Sequence, residues 1–258
     1  MADAAVEAYR ASRTFTDKAV DSVCYAPHVS LEFDPAGIVY ACCENQLFPL
    51  GRVAESTLRE IWEGPRARAL RDALVAGDLS LGCNTCRWAI DHGNDQPIAR
   101  GYDRLPVSSA QPEFPGRMTF ALSNRCNLEC VMCNGELSSK IRAREGRAPL
   151  PPAYGEDFFT QLDEFLPSLR VANFLGGEPF LINEYFRIWE QMAVRGLDTL
   201  CAVVTNGTRF DAKVERALAA LPFEIVVSLD GVRAETVEAI RTNVDHATVL
   251  ANAERFRD

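Results

Sequence analysis

The second half of the chain repeats one pattern four times, and this recurrence narrows the possible folds most. Short apolar runs at residues 118–122, 170–175, 200–204 and 224–227 each break into a polar tail. The tails are Ser123-Asn124-Arg125-Cys126, Gly176-Gly177-Glu178-Pro179, Thr205-Asn206-Gly207 and Ser228-Leu229-Asp230-Gly231. Helical periods fill the gaps. Phe158, Leu162, Phe165 and Leu166 fall at i, i+4, i+7 and i+8, and Tyr185, Ile188, Trp189 and Met192 share a face that stops at Gly196. A further helix is expected over residues 211–221. The order βαβαβαβ with short links predicts an α/β fold with parallel strands and right-handed crossovers. All four tails then lie at the carboxyl ends of parallel strands, on the face where such sheets place their binding sites.

The first tail runs on into SNRCNLECVMCNG, which sets Cys126, Cys130 and Cys133 within one loop. Three thiolates this close can hold three corners of a metal cluster. A [4Fe–4S] cluster normally takes four cysteines, so one iron would stay open for another ligand. Zinc is the alternative for a Cys-rich loop taken alone. There is no leader-like apolar segment at the start and no run of about 18 apolar residues anywhere, so a cytoplasmic protein without a membrane partner is expected. In a reducing compartment the nine cysteines point to metal rather than disulfides. With 36 acidic and 27 basic residues the formal charge is −9, which disfavours nucleic acid as a partner.

A second set of cysteines occupies the first third. Two apolar runs flank Asp34-Pro35-Ala36-Gly37, predicting a hairpin with Cys24 and Cys42 toward its outer ends. A helix over 57–63 is expected from the Thr57-x-x-Glu60 capping box, and a second from Pro65 at its first position to Gly77 past its end. The loop after it carries Cys83 and Cys86. Cys24, Cys42, Cys83 and Cys86 can therefore close the coordination shell of one metal centre, an iron–sulfur cluster or zinc; Cys43 reads as a packed neighbour, with a register shifted by one residue making it the ligand in place of Cys42. The proline-bearing stretch 97–116 reads as a surface linker, and 140–154 as a mobile excursion. Cys201 reads as core, and His28, His92 and His246 as isolated surface histidines. The expected domains are 1–96, the linker 97–116, and 117–258.

The loop CxxxCxxC, followed in order by GGEP, TNG and SLDG after successive strands, resembles the radical S-adenosylmethionine (radical SAM) enzymes over about residues 117–258. The resemblance implies a partial (β/α) barrel, a [4Fe–4S] cluster on Cys126, Cys130 and Cys133, and SAM chelated at the open iron by its amino and carboxylate groups. It further implies that Gly176, Gly177, Glu178 and Pro179 meet the SAM amino group and that Met132 lies near adenine. Ser228 and Asp230 would serve ribose hydroxyls, with Thr205 and Asn206 lining the same mouth. The earlier cysteines look like a Twitch or SPASM module holding an auxiliary [4Fe–4S] cluster, here placed before the catalytic part.

The implied activity is reductive cleavage of SAM to a 5′-deoxyadenosyl radical. That radical would oxidise or cross-link a peptide or small metabolite, with electrons from an external donor such as flavodoxin or ferredoxin. The competing expectation is a non-catalytic iron–sulfur or zinc scaffold. Because such domains usually wind six βα units and four strands are counted here, an incomplete barrel is expected, with a bare edge on the fourth strand. Asp245 should cap a last helix that carries Val249, Leu250, Ala253 and Phe256.

Overall fold

The computed structural model describes residues 3–13 and 15–257, and the chain forms two compact units. Residues 1–33, 37–118 and 160–169 make the first, and residues 34–36, 119–159 and 170–258 the second.

In the first unit α1 (Ala4–Ala11) and α2 (Ala26–Val29) precede an antiparallel meander of β1 (Ser30–Phe33), β2 (Ile38–Tyr40) and β3 (Gly51–Arg52). The expected hairpin forms, with Glu32 opposite Tyr40 and Phe33 opposite Val39. Gly37 sits at φ 77°, a conformation that only glycine adopts freely. The third strand, where Val39 also pairs with Gly51, escapes sequence reading because two residues carry no period. Cys24 lies ahead of α2 rather than on a strand. α3 (Leu58–Glu63) has its capping box: Glu60 N donates to Thr57 Oγ1 at 3.2 Å, and Thr57 N donates to Glu60 Oε2 at 2.8 Å. α4 (Pro65–Val75) begins at Pro65, with Gly77 just beyond its end.

Two expectations fail here. Residues 83–86 are not a loop, since Cys83 is the N-cap of α5 (Asn84–Asp91), which puts Cys86 in the first helical turn. Residues 97–116 are not draped outside the unit. A 3₁₀ turn covers Ile98–Tyr102, and Ala99, Tyr102 and Val107 are buried. Prolines announce irregular backbone, but they do not tell whether the apolar side chains between them find a core. Trp62 anchors that core: its indole Nε1 donates to Pro112 O at 2.8 Å, and the Arg71 guanidinium lies 4.2 Å above its ring.

The second unit contains most of β4 to α11: β4 (Arg117–Phe120), β5 (Glu129–Cys130), α6 (Ser139–Arg144), α7 (Glu156–Phe165), β6 (Val171–Phe174), α8 (Asn183–Val194), β7 (Leu200–Thr205), α9 (Ala212–Ala220), β8 (Phe223–Val227), α10 (Ala234–Ile240), β9 (Arg241–Thr242) and α11 (His246–Arg257). The start of β4 and the last turns of α7 count with the first unit. Strands run in the order β4-β6-β7-β8. The parallel register sets Ala172 beside Cys201 and Phe174 beside Val203, then Cys201 beside Phe223 and Thr205 beside Val227.

One face of this sheet is packed by the apolar stripe of α8. The Phe174 ring lies 5.2 Å from that of Tyr185 and 5.1 Å from that of Trp189, and Cys201 is core, with its Sγ 3.9 Å from Met192 Sδ. The other face exposes Leu175, Val204 and Val226. β8 is the edge strand, with only β7 beside it, and the strands do not close into a barrel among the described residues. The stretch expected as an excursion folds into α6 and ends on a buried Tyr154, whose hydroxyl donates to Asp34 O. Asp245 caps α11 as expected, accepting from Ala247 N at 3.2 Å. His28 and His246 are buried, contrary to expectation, and only His92 is exposed. Among the described residues no helix is long and apolar enough to cross a membrane.

Candidate active site

The cysteine loop is shaped by short polar residues that bond its backbone. Asn124, buried, donates from Nδ2 to Gly135 O at 3.0 Å, while its carbonyl accepts from Ser139 N at 2.7 Å. Ser138 donates to Leu128 O at 2.7 Å, and Ser139 Oγ accepts from Cys126 N at 3.1 Å. The loop thus wraps the start of α6. Cys126 Sγ accepts from Leu128 N at 3.4 Å, Cys130 sits in β5 opposite Arg241 of β9, and Cys133 N closes a turn onto Cys130 O at 3.0 Å.

All three cysteines line one cavity of about 340 Å³, in the range of small-molecule pockets. Of the other residues singled out in the sequence, Met132, Gly176, Gly177, Thr205, Asn206 and Ser228 line it too. Glu178, Pro179 and Asp230 do not. A cavity of about 500 Å³ in the first unit is larger, but its cations Arg10, Arg13 and Lys18 are each engaged by carboxylates, leaving no free group for a ligand.

The glycines and Glu178 act on the protein's own backbone. Gly176 has φ 74° and Gly177 φ 31°. A Cβ on Gly177 would stand 2.2 Å from Arg125 O, and one on Gly176 2.8 Å from Ser123 O. Two bare Cα positions therefore let the loop close on the cysteine loop, where Glu178 N donates to Arg125 O at 2.8 Å. The Glu178 carboxylate is buried and fully used. It accepts from Thr205 Oγ1 at 2.7 Å, Asn206 N at 2.7 Å and Phe180 N at 3.1 Å. Burial pushes its pKa up, and these donors partly offset that.

Three residues that sequence reasoning passed over complete the site. Asn206 Nδ2 donates to Asn127 Oδ1 at 3.0 Å and lies 4.0 Å from Cys126 Sγ, while Asn127 Nδ2 donates to Thr208 Oγ1 at 2.9 Å. This chain ties the TNG tail to the cysteine loop. Arg241 lines the cavity and forms an ion pair with Asp230, so the Asp230 carboxylate is already occupied. Nothing local marks Arg241, since it enters only because the two-residue strand β9 pairs with β5.

In the first unit Cys24, Cys42, Cys83 and Cys86 line a single enclosed cavity, and Cys43 does not. Asn45 organises it, donating to Leu81 O at 2.8 Å and to Cys83 Sγ at 3.5 Å. Gly82, at φ 80°, has no room for a Cβ, which would meet Asn45 Oδ1 at 2.1 Å. Tyr102, on the wall, donates to Glu32 Oε1 at 2.9 Å.

Burial raises the thiol pKa of Cys24, pushes those of Cys42 and Cys83 up to about 12, and raises those of Cys86, Cys126 and Cys130. Thiols with raised pKa values stay protonated at neutral pH when free, and a coordinating metal deprotonates them. Among the described residues no three His, Cys, Asp or Glu side chains converge tightly enough for a single metal ion. The sulfurs of Cys126, Cys130 and Cys133 line one cavity and those of Cys24, Cys42, Cys83 and Cys86 another.

Comparison with known proteins agrees with this geometry. Residues 120–258, more than half of the chain, match the radical SAM superfamily model, and the chain belongs to that superfamily. Residues 24–87 match the SPASM model, an iron–sulfur cluster-binding domain, which here precedes the radical SAM part. Membership implies a [4Fe–4S] cluster and SAM as cofactors, and the second match implies an auxiliary cluster.

Among curated relatives, the AdoMet-dependent heme synthase of Methanosarcina barkeri is 30% identical over 133 residues, covering 51% of this chain and 36% of its own length. The mycofactocin maturase MftC of Mycobacterium tuberculosis is 30% identical over 130 residues, covering 50% of this chain and 31% of its own. The chain thus matches about a third of the length of these relatives. A solved structure described as native anSMEcpe with bound AdoMet is 22% identical, with a TM-score of 0.43, covering 55% of this chain and 41% of the other.

Proposed function

We propose that this chain carries the cluster and SAM sites of an enzyme that abstracts hydrogen from a peptide or small metabolite, leading to net oxidation or cross-linking. The supporting observation is that Cys126, Cys130 and Cys133 share one cavity with Gly176, Gly177, Asn206 and Ser228 and with no fourth cysteine. That donor set fits a [4Fe–4S] cluster with one open iron. When bound, the reduced cluster and SAM supply a 5′-deoxyadenosyl radical able to remove a substrate hydrogen atom.

The chain's own residues hold and shield that chemistry. Leu128 N and Asn206 Nδ2 point at Cys126 Sγ, and such N–H groups stabilise thiolate charge. The Gly176–Gly177 backbone offers carbonyl oxygens to an ammonium group, and Ser228 offers a hydroxyl to ribose. Leu175 and Val204 form an apolar wall beside them that displaces water. Cys24, Cys42, Cys83 and Cys86 fit a fully ligated auxiliary cluster, suited to taking up or relaying an electron. An external donor such as flavodoxin or ferredoxin would supply the reducing electron.

Anaerobic reconstitution tests this reading. The chain should load two clusters and, with dithionite, cleave SAM to 5′-deoxyadenosine. Replacing Cys126, Cys130 and Cys133 together by Ala should remove one cluster and all cleavage. Iron content unchanged by that triple substitution overturns the assignment, and two loaded clusters without SAM cleavage favour a scaffold.

A further inference from the structure

The four sulfurs of the first unit's cysteine cavity differ in where their N–H donors come from. Cys24 accepts from Ala26 N at 3.4 Å, Cys42 from the backbone of Glu44 and Asn45, and Cys86 from the backbone of Ile98 and Ala99. Cys83 takes its donor from a side chain, Asn45 Nδ2 at 3.5 Å. Asn45 is buried, and its amide is held in one orientation. Its Oδ1 accepts from Phe48 N at 3.2 Å, while Nδ2 also donates to Leu81 O at 2.8 Å. Turning the amide over would set oxygen against Leu81 O and N–H against Phe48 N, two repulsions in place of two bonds. Gly82 leaves Oδ1 its space, since a Cβ there would lie 2.1 Å away. One amide hydrogen is therefore spent on Leu81, and the other is aimed at Cys83 Sγ.

From this we infer that Asn45 sets the reduction potential of the auxiliary cluster, acting through Cys83 as a positioning residue. The inference rests on the auxiliary cluster assigned above to Cys24, Cys42, Cys83 and Cys86. A cluster gains one negative charge on reduction, and part of that charge falls on the cysteine sulfurs. An N–H aimed at a sulfur favours the reduced form over the oxidised one and raises the potential. In an enclosed cavity water screens this contribution little. Asn45 also acts on two ligands from different segments, its backbone on Cys42 and its side chain on Cys83. A raised potential makes the cluster a better electron acceptor, the sense that a net oxidation of substrate requires.

The test reads the cluster itself, not turnover. Anaerobically reconstituted chain is poised at a fixed potential with dithionite and mediators, and reduced and oxidised clusters are counted by electron paramagnetic resonance. The auxiliary signal is the one retained when Cys126, Cys130 and Cys133 are replaced by Ala. Asn45→Leu, close in size and without a donor, should lower the reduced-to-oxidised ratio of that cluster about three- to tenfold, tenfold being about 59 mV for a one-electron couple. The central cluster, in the other unit, should stay within about twofold. The auxiliary Fe–S(Cys) stretching bands in resonance Raman spectra should rise, because a sulfur that loses a donor binds iron more strongly.

An auxiliary ratio unchanged within about twofold overturns the inference, as does a fallen ratio with unmoved stretching bands, which marks distortion of the site. If Asn45→Leu fails to load the auxiliary cluster, the same two readings are taken on Asn45→Ala and judged alike. If neither variant loads it, Asn45 is needed for assembly and the tuning role falls. Zinc, or no metal, at the four cysteines of the unaltered chain defeats the auxiliary-cluster assignment instead, so the two failures are distinguishable.

Discussion

Gly177 shows at the scale of one residue how a motif can be legible while its local reason is not. The sequence marks Gly176-Gly177-Glu178-Pro179 as a place where backbone must come close to something. The structure supplies that partner, the backbone of residues 123–125. Gly177→Ala would force a Cβ to 2.2 Å from Arg125 O, with no flexible side chain to give way. The bond from Glu178 N to Arg125 O should break, and the second unit should lose about 2–3 kcal/mol of stability. Calorimetry of the variant checks this, with a drop in cluster loading at Cys126, Cys130 and Cys133. A variant that melts with the parent chain and loads fully would show that the loop can shift to admit the methyl group. Glu178 teaches the same lesson. A carboxylate in a candidate cofactor motif reads as a ligand group, yet its oxygens are spent on Thr205, Asn206 and Phe180. Sequence reports which residue types cluster at strand ends, whereas hydrogen-bond saturation depends on three segments meeting in space.

Elements with enough residues to show a period were legible. α7, α8 and β6 to β8 stand where the apolar spacing puts them, and the capping box of α3 is present. What escaped was short. β3, β5 and β9 have two residues each, and β9 is the strand that brings Arg241 to the site. α5 was hidden for another reason, since a CxxC pair in a presumed loop draws attention from the helical run that follows.

That helix gives the auxiliary site a testable geometry. With Cys83 at its N-cap and Cys86 one turn in, both sulfurs face the cavity shared with Cys24 and Cys42. Replacing Cys83 and Cys86 by Ala should remove the auxiliary metal and leave SAM affinity within about twofold, because Gly176, Gly177 and Asn206 belong to the other unit. Turnover should fall while uncoupled SAM cleavage survives. Metal analysis decides the role: iron and sulfide at this site support electron transfer, and zinc in their place leaves a structural part only.

Across the whole molecule the acidic composition bears on partners and solubility, whereas the pH dependence of stability depends on a few buried groups. In the first unit His28 is buried near Arg71, and desolvation, reinforced by that guanidinium, lowers its pKa from 6.5 to about 4. A base whose folded pKa is depressed contributes stability above its unfolded pKa and loses it as pH falls through the folded value. The window is therefore pH 6.5 down to about 4. The shift sets an upper limit of about 3 kcal/mol. Buried acids act in the opposite sense. Burial raises the pKa values of Glu32 and Glu178, so their contribution is present at low pH and declines as pH rises through their folded values. The parent chain thus combines opposing slopes, and the histidine is isolated by difference. His28→Gln should cost stability at pH 7, where the neutral ring fills its site, and the gap to the parent should narrow by up to about 3 kcal/mol between pH 6.5 and pH 4. Urea midpoints across that range, with the parent as reference, measure it. Two curves that stay parallel would mean that His28 does not remain neutral in the folded chain, through local opening or through the Ala110 backbone, which acts on the ring in the opposite sense to burial and Arg71.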